Sequence, residues 1–261
     1  MTSDLMKGKR GLIMGVANDH SIAWGIAKTL HDHGAELGFT YMGDSILKRV
    51  KPLAESVDSS LLIPCDVSSE KSVEKMFKTV KKEWDQFDFL VHAVAYSDKE
   101  ELKGRYLDTS LKNFLNTMHI SCYSFTSVLK HAQPLMRAGG SALTLSYYGA
   151  EKAMPNYNVM GVAKAGLEAS VRYLAEDLGP ETIRVNAISA GPMRTLAGSA
   201  IANARETFRY NVETATLRRS VTLDELGGSA LYLLSDLSAA VTGEIHYVDC
   251  GFNAVGMKKP A

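Results

Sequence analysis

RGLIMGVANDHSIAWGIA, residues 10–27, joins a short apolar run to a helical pattern through a turn bracketed by glycines. The run Arg10–Val16 predicts a buried strand, because it is short, rich in aliphatic residues and bounded by glycine. Beyond the turn, Ile22, Ile26 and Leu30 recur at four-residue spacing, which is typical of a helix with one apolar face. A strand, a turn and a helix in this order predict the opening unit of a doubly wound α/β sheet.

The same alternation continues along the chain. The predicted strands are Arg10–Val16, Ala35–Tyr41, Ser60–Pro64, Phe87–Ala95, Ala142–Ser146, Arg184–Ser189 and Glu244–Val248. The predicted helices are Ser21–His33, Ser69–Trp84, Leu111–His131, Asn158–Leu178 and Leu223–Leu234. Strands separated by helices imply right-handed parallel crossovers. We therefore predict an α/β fold, in which residues 1–261 form a single Rossmann domain with a seven-stranded, doubly wound parallel sheet flanked by helices.

The stretch Met193–Asn211 departs from this regular pattern. It follows Gly191–Pro192 and is rich in Ala, Thr and Ser, with weak apolar periodicity. The pattern predicts either a marginal helix over a binding site or a connecting surface helix, and it does not decide between them.

Composition narrows the class of protein. The 29 basic residues balance 29 acidic ones, so no global charge favours nucleic acid or an anionic membrane. No apolar run reaches the roughly 20 residues of a membrane helix, and the start of the chain has no signal-peptide core. We expect a cytoplasmic protein. Cys65, Cys122 and Cys250 lie far apart without a Cys-x-x-Cys pair, so we expect packed thiols and no metal site.

The turn after the first strand is the candidate phosphate site. Gly15 and Gly25 bracket it, although no Gly-x-Gly-x-x-Gly is present. The free N–H groups at the start of a helix favour a pyrophosphate. Ser21 would either cap this helix or hold a phosphate oxygen.

The residues at the ends of the next strands are candidates to bind the adenosine and the remaining parts of a dinucleotide. The second strand ends at Tyr41–Met42–Gly43 with neither an acidic residue for a ribose hydroxyl nor a basic residue for a 2′-phosphate, which favours NADH over NADPH. Asp66, after the third strand, would either accept from an adenine amino group or cap the following turn. Small residues from Ala93 to Ala95 would let a dinucleotide lie close to the backbone.

Tyr157 and Lys164 are the candidate chemical groups. Seven residues span about 700° of helix, so both side chains would project from one face. The lysine is either a surface side chain that snorkels or a functional ammonium. In the functional interpretation, the Tyr157 hydroxyl donates to a substrate oxygen, and the ammonium favours tyrosinate and holds a nicotinamide ribose. Tyr147, after the fifth strand, would shape the same site or relay a proton.

These residues resemble the short-chain dehydrogenase/reductase superfamily, and more closely its divergent branch, the bacterial enoyl-acyl-carrier-protein reductases. The superfamily pattern is Tyr-x-x-x-Lys, but Gly161 stands at that lysine position and the spacing here is Tyr-x6-Lys. Further matching stretches are GVANDHSIAWGIA, FTY, CDV, SYYGAEKAMPNYNVMGVAKAGLEA, RVNAISAGPMRTLA and GEIHYVDCGF. The resemblance covers nearly the whole chain and implies NADH-dependent reduction of trans-2-enoyl thioesters, with hydride going to the β-carbon and Tyr157 stabilising the enolate.

The resemblance also implies the site residues. The implied catalytic residues are Tyr147, Tyr157 and Lys164. The implied cofactor-binding residues are Gly15, Ser21, Ile22, Met42, Asp66, Val67, Ala93, Val94, Lys164, Pro192, Met193 and Thr195. The implied substrate-binding residues are Ala95, Tyr96, Tyr147, Tyr157, Met160, Ala197 and Ile201. Residues 193–211 would be a mobile substrate-binding segment. Family members act on acyl carrier protein and are commonly homotetramers, with contacts from the last strand and from the helices over 111–131 and 157–178.

The chain departs from the family pattern in three places. Met42 replaces a Gln that often follows Tyr at the end of the second strand, which weakens the evidence for a ribose contact. Ala95 replaces a glycine, and its methyl group narrows the space beside the nicotinamide, so we expect weaker binding of inhibitors that stack there. The basic patch for an acidic carrier is thin, and docking would depend on Arg194, Arg205, Arg209 or other basic residues.

Two other functions stay open on the residues alone. A 3-oxoacyl or other carbonyl reductase would use the same fold and cofactor, although the Tyr-x6-Lys spacing argues against it. A sensor that binds NADH without turnover is also compatible with the fold. The presence of Tyr147, Tyr157 and Lys164 together argues against the sensor in part, because a sensor needs no proton donor.

Overall fold

A seven-stranded parallel sheet forms the centre of the molecule, as predicted. The computed structural model describes residues 4–193, 195 and 204–257. The strands are β1 (Arg10–Met14), β2 (Glu36–Tyr41), β3 (Leu61–Pro64), β4 (Phe87–His92), β5 (Met136–Ser146), β6 (Arg184–Ala190) and β7 (Ile245–Val248). Their order in the sheet is β3-β2-β1-β4-β5-β6-β7, and every neighbouring pair is parallel.

Helices cover both faces of this sheet. They are α1 (Ile22–Asp32), α2 (Asp44–Glu55), α3 (Glu70–Trp84), α4 (Leu111–Met118), α5 (Ser124–Ala132), α6 (Val159–Leu178), α7 (Ala204–Thr214) and α8 (Leu223–Leu234). Successive residues of a strand point to opposite faces. Leu12 therefore joins the core beneath α3, α5 and α6, whereas Ile13 joins the core beneath α1, α2 and α8.

The strand order reverses at β1, which lies between β2 and β4. In doubly wound sheets, ligands bind beyond the carboxyl ends of the strands at this switch point. The fold thus places the end of β1, the end of β4 and the start of α1 around one crevice.

The predicted helix Leu111–His131 is not regular, which corrects that prediction. A π-helical turn, His119–Tyr123, separates α4 from α5. Ser121 and Cys122 within it are buried, and the Ser124 hydroxyl donates to the carbonyl of Ile120 at 2.6 Å. Such bulges are frequent at functional sites, and this one faces the crevice through Ser121, as described below.

Two further observations concern membrane spans and cysteines. No helix in the ranges given above is long and apolar enough to cross a membrane. All three cysteines are free thiols; Cys65 and Cys122 are buried and Cys250 is partly exposed.

Candidate active site

A cavity of about 700 Å³ opens at the switch point. That volume lies within the usual range for small-molecule and cofactor sites. The predicted site residues that line it are Gly15, Ser21, Ile22, Ala93, Val94, Ala95, Tyr96, Tyr147, Tyr157, Met160, Lys164, Pro192, Met193 and Thr195. The structure therefore brings together residues from six separate stretches of the chain.

Three predicted cofactor residues do not line this cavity. Met42 lies just beyond β2 and its side chain is 62% exposed. The Asp66 carboxylate accepts from the backbone N–H and hydroxyl of Ser68, so it caps the turn, one of the two roles expected for it. Val67 is buried in the core beneath α3. Its contact with a cofactor therefore stays a prediction. Ala197 and Ile201, predicted for substrate, lie outside the described residues, as does Arg194.

The turn after β1 has a conformation that requires glycine. Gly15 has φ +100°, and a Cβ there would lie 2.1 Å from the carbonyl oxygen of Ala93. The Ser21 hydroxyl accepts from the backbone N–H groups of Ala17 at 3.0 Å and Asn18 at 3.1 Å. Ser21 thus fixes the turn and makes no side-chain cap to α1, which corrects the capping alternative.

This turn leaves the first turn of α1 facing the cavity. Ile22 and Ala23 line it, and the first N–H groups of a helix have no partner within the helix. Those groups and the helix dipole suit a pyrophosphate. With the cavity beside them, these residues fit a dinucleotide such as NADH.

Tyr157 lies ahead of α6 and not on it, which corrects the helical geometry assumed above. Asn158 has φ +41°, so the chain turns sharply before the helix begins at Val159. Tyr157 and Lys164 nevertheless line the same cavity. The Tyr157 ring packs edge-on against Tyr147, with ring centroids 5.0 Å apart and planes at 74°.

Lys164 is buried, so it is not a snorkelling surface lysine. Its Nζ donates to the carbonyl of Leu145, at the end of β5, at 2.7 Å. Burial lowers the pKa of Lys164 to about 8. Near neutral pH the side chain is therefore mostly an ammonium, and it loses its charge as the pH rises through about 8.

The expectation that this ammonium favours tyrosinate does not decide the protonation of Tyr157, because burial dominates its pKa. Burial raises the pKa of Tyr157, and electrostatic interactions with Tyr147 and Glu168 raise it further. Burial likewise raises the pKa of Tyr147 to about 12. The reason is that a buried phenol loses hydration of its anion. Both tyrosines are therefore neutral hydrogen-bond donors at physiological pH.

A buried polar network, missed at the sequence level, holds the wall formed by residues 96–98. The Ser121 hydroxyl accepts from the N–H of Tyr96 and donates to the carbonyl of the same residue, both at 2.9 Å. Asn113 Oδ1 accepts from the N–H of Asp98 at 3.0 Å. Small polar residues on a helix gave no sequence signal, because their partners come from another part of the chain.

Helix α7 contributes the outer wall. Thr207 and Phe208 line the cavity, which favours a helix over the site for this part of residues 193–211. Arg205 and Arg209 are exposed on the same helix, and Arg209 lies 4.0 Å from Glu213. Among the residues that the structure describes, no cluster of His, Cys, Asp and Glu could hold a metal ion.

Comparisons with known proteins identify the family to which this site belongs. A family model described as Enoyl-(Acyl carrier protein) reductase matches residues 15–253. The chain is 61% identical over 253 residues to an enoyl-[acyl-carrier-protein] reductase [NADH] of Rhizobium meliloti, covering 97% of this chain and 94% of that one. It is 55% identical over 259 residues to the enzyme of the same description from Rickettsia typhi, covering 99% of both.

Solved structures give the same result. An enoyl-(acyl-carrier-protein) reductase from Anaplasma phagocytophilum in complex with NAD is 59% identical, with a TM-score of 0.94, and the match covers 99% of this chain and 96% of that one. FabI from Candidatus Liberibacter asiaticus is 55% identical, with a TM-score of 0.97, covering 99% of this chain and 100% of that one.

Proposed function

The chain belongs to the enoyl-(acyl carrier protein) reductase family, and from that membership we propose how its own residues perform the reaction. It is an NADH-dependent reductase that converts trans-2-enoyl thioesters of acyl carrier protein to the saturated acyl thioesters of fatty-acid biosynthesis. The observation that carries the mechanism is the cavity shared by the Tyr147–Tyr157 pair and the buried Lys164.

Tyr157 stabilises the charge that develops on the substrate. When bound, NADH would supply a hydride to the β-carbon of the enoyl group, so that negative charge develops on the thioester oxygen before the α-carbon takes a proton from solvent. The neutral Tyr157 hydroxyl donates a hydrogen bond to that oxygen. A donor held in place before the reaction stabilises such charge without reorganising, which is usually the largest catalytic contribution. Tyr147 packs on the Tyr157 ring and holds it in position.

Lys164 holds the nicotinamide ribose. Its ammonium is anchored by the carbonyl of Leu145 and retains two further N–H donors. Those donors would bind the ribose hydroxyls and hold the nicotinamide in the cavity that Tyr157 also lines. The positive charge also favours the enolate electrostatically. Its contribution is greatest below a pH of about 8, where the side chain is charged.

The other end of the cofactor accounts for the choice of NADH. Met42 follows β2 where a 2′-phosphate would lie, and it offers no positive charge. Lys48 and Arg49 are on α2, beyond that point. Met42 and Asp66 would contact the adenosine along the sheet edge beside the cavity.

The remaining partners follow from the family. We propose a cytoplasmic homotetramer whose contacts come from β7, α4, α5 and α6, and exposed apolar side chains on α4 and α6 support this. They are Leu111, Leu115 and Tyr173. We also propose that the chain is one reductase domain, that residues 193–211 move to bind substrate, and that Arg205 and Arg209 dock the acidic carrier.

The experiment follows NADH oxidation with two substrates in parallel. Crotonyl-CoA or an enoyl-acyl-carrier-protein thioester should be reduced, and a 3-oxoacyl thioester should not. Turnover with the ketone alone would make the protein a carbonyl reductase. Tight NADH binding without turnover of either substrate would make it a sensor.

A further inference from the structure

Two residues one turn apart on α6 hold consecutive residues at the end of β5. Lys164 Nζ donates to the carbonyl of Leu145, and Ser146 Oγ donates to Glu168 Oε1 at 2.5 Å. Leu145 and Ser146 line the cavity, and the active-site residue Tyr147 follows directly. The mechanism above uses Lys164 but gives Glu168 no role.

The burial of Glu168 requires an explanation. Only 7% of the residue is exposed, and a carboxylate is almost never buried without a partner. Burial raises the pKa of Glu168, whereas the Ser146 hydrogen bond and, more weakly, the positive charges of Arg172 and Lys164 act against that rise. Residues four apart on a helix lie on the same side of it, so Glu168 is one turn from Lys164 and each acts electrostatically on the other.

Few other charges act on Lys164. The titratable and charged groups that face the pair are Cys122 and His92 around Lys164, and Glu151, Arg172, Tyr157 and Tyr247 around Glu168. Burial raises the pKa of the Cys122 thiol and lowers that of His92 to about 3, so both are neutral near pH 8. Glu151 and Arg172 are exposed, where water and salt screen their fields.

We propose that Glu168 is a positioning residue of the reductase site, whose carboxylate holds the end of β5 through Ser146 and supplies the negative charge that keeps Lys164 an ammonium beneath the NADH ribose. This proposal rests on the proposed function of the site. Burial lowers the pKa of Lys164 to about 8, and Glu168 opposes that fall. Without the carboxylate, Lys164 would lose its proton at a lower pH, and NADH affinity would fall there too.

The test measures the NADH dissociation constant by fluorescence across pH, together with kcat/KM for crotonyl-CoA. Glu168→Gln keeps an acceptor for Ser146 and removes the charge, while Ser146→Ala keeps the charge and removes the hydrogen bond. Glu176→Gln, on an exposed turn of α6, is the matched control. In Glu168→Gln, we expect the pH at which NADH affinity falls to be lower by about one unit than in the wild type. In Ser146→Ala and Glu176→Gln, we expect it to be unchanged.

Two results would overturn the proposal. One is an NADH affinity that falls at the same pH in Glu168→Gln as in the wild type. A purely structural role for Glu168 predicts that outcome, even if the variant is less stable. The other result comes from the wild-type protein. If carbon-13 NMR of its carboxyl groups shows that Glu168 is still protonated at the pH where Lys164 loses its proton, Glu168 carries no charge to act on Lys164. A wild type that binds NADH without reducing crotonyl-CoA would refute the proposed function, and the binding measurements would still test Glu168.

Discussion

Replacing Tyr157 with phenylalanine removes one hydroxyl and leaves the ring in place. The ring is buried, packs edge-on against Tyr147 and touches Gly149, and phenylalanine would keep those contacts. Burial raises the pKa of Tyr157, so the hydroxyl stays protonated over the usual assay range. A loss of rate in Tyr157→Phe therefore reports the lost hydrogen bond and not a titration.

The size of that loss follows from the role. A preorganised donor to a developing oxyanion contributes about 10² to 10³ in kcat, or about 3 to 4 kcal/mol. We expect kcat to fall by that factor, with NADH affinity within about twofold of wild type because Lys164 is intact. Stopped-flow oxidation of NADH at saturating crotonyl-CoA measures the rate, and thermal unfolding checks the fold.

Tyr232→Phe, at an exposed tyrosine of α8, is the matched control and should match wild type. A Tyr157→Phe rate within about threefold of wild type would refute the reasoning. The donor would then be Tyr147 or the cofactor itself.

Three further predictions concern the walls of the site. Gly149→Ala places a Cβ 2.4 Å from Cδ1 of Tyr157, so we expect kcat to fall by about tenfold or more as the ring moves; an unchanged kcat would show that Gly149 does not fix it. Ser121→Ala removes the hydrogen bonds to the N–H and carbonyl of Tyr96, each worth about 1 kcal/mol, so KM for the enoyl thioester should rise by about fivefold in steady-state assays while NADH affinity is retained; an unchanged KM would contradict this. Ala95→Gly removes a methyl group from the cavity wall and should tighten inhibitors that stack on the oxidised nicotinamide; equal inhibition constants for both proteins would contradict this.

The fold could be predicted because its signals are local. Apolar runs and four-residue spacing, as in α1, depend only on neighbouring residues and placed all seven strands. The π-helical turn His119–Tyr123 could not be predicted, because Ser121 there is fixed by Tyr96 from the loop after β4. A helical period carries no information about such a distant partner.

The site was predicted in part, for similar reasons. The spacing of Tyr157 and Lys164 indicated that both belong to one site, but it assumed a continuous helix, and the positive φ of Asn158 shows that the helix starts later. Asp66 left two roles open; the hydrogen bonds to Ser68 show that it caps the turn, and its contact with the adenosine stays a prediction. Glu168 had a usable signal that sequence reasoning missed, an acidic residue one turn beyond Lys164 on a mostly apolar face.

The most direct measurement of the central claim follows the hydride itself. NADH deuterated at its transferable C4 position reduces crotonyl-CoA with the enzyme, and NMR and mass spectrometry locate the label in the product. We predict one deuterium on the β-carbon of the saturated thioester, with the new hydrogen of the α-carbon coming from solvent. Deuterium on the α-carbon, or on an alcohol carbon formed from a 3-oxoacyl substrate that the enzyme prefers, would contradict the account.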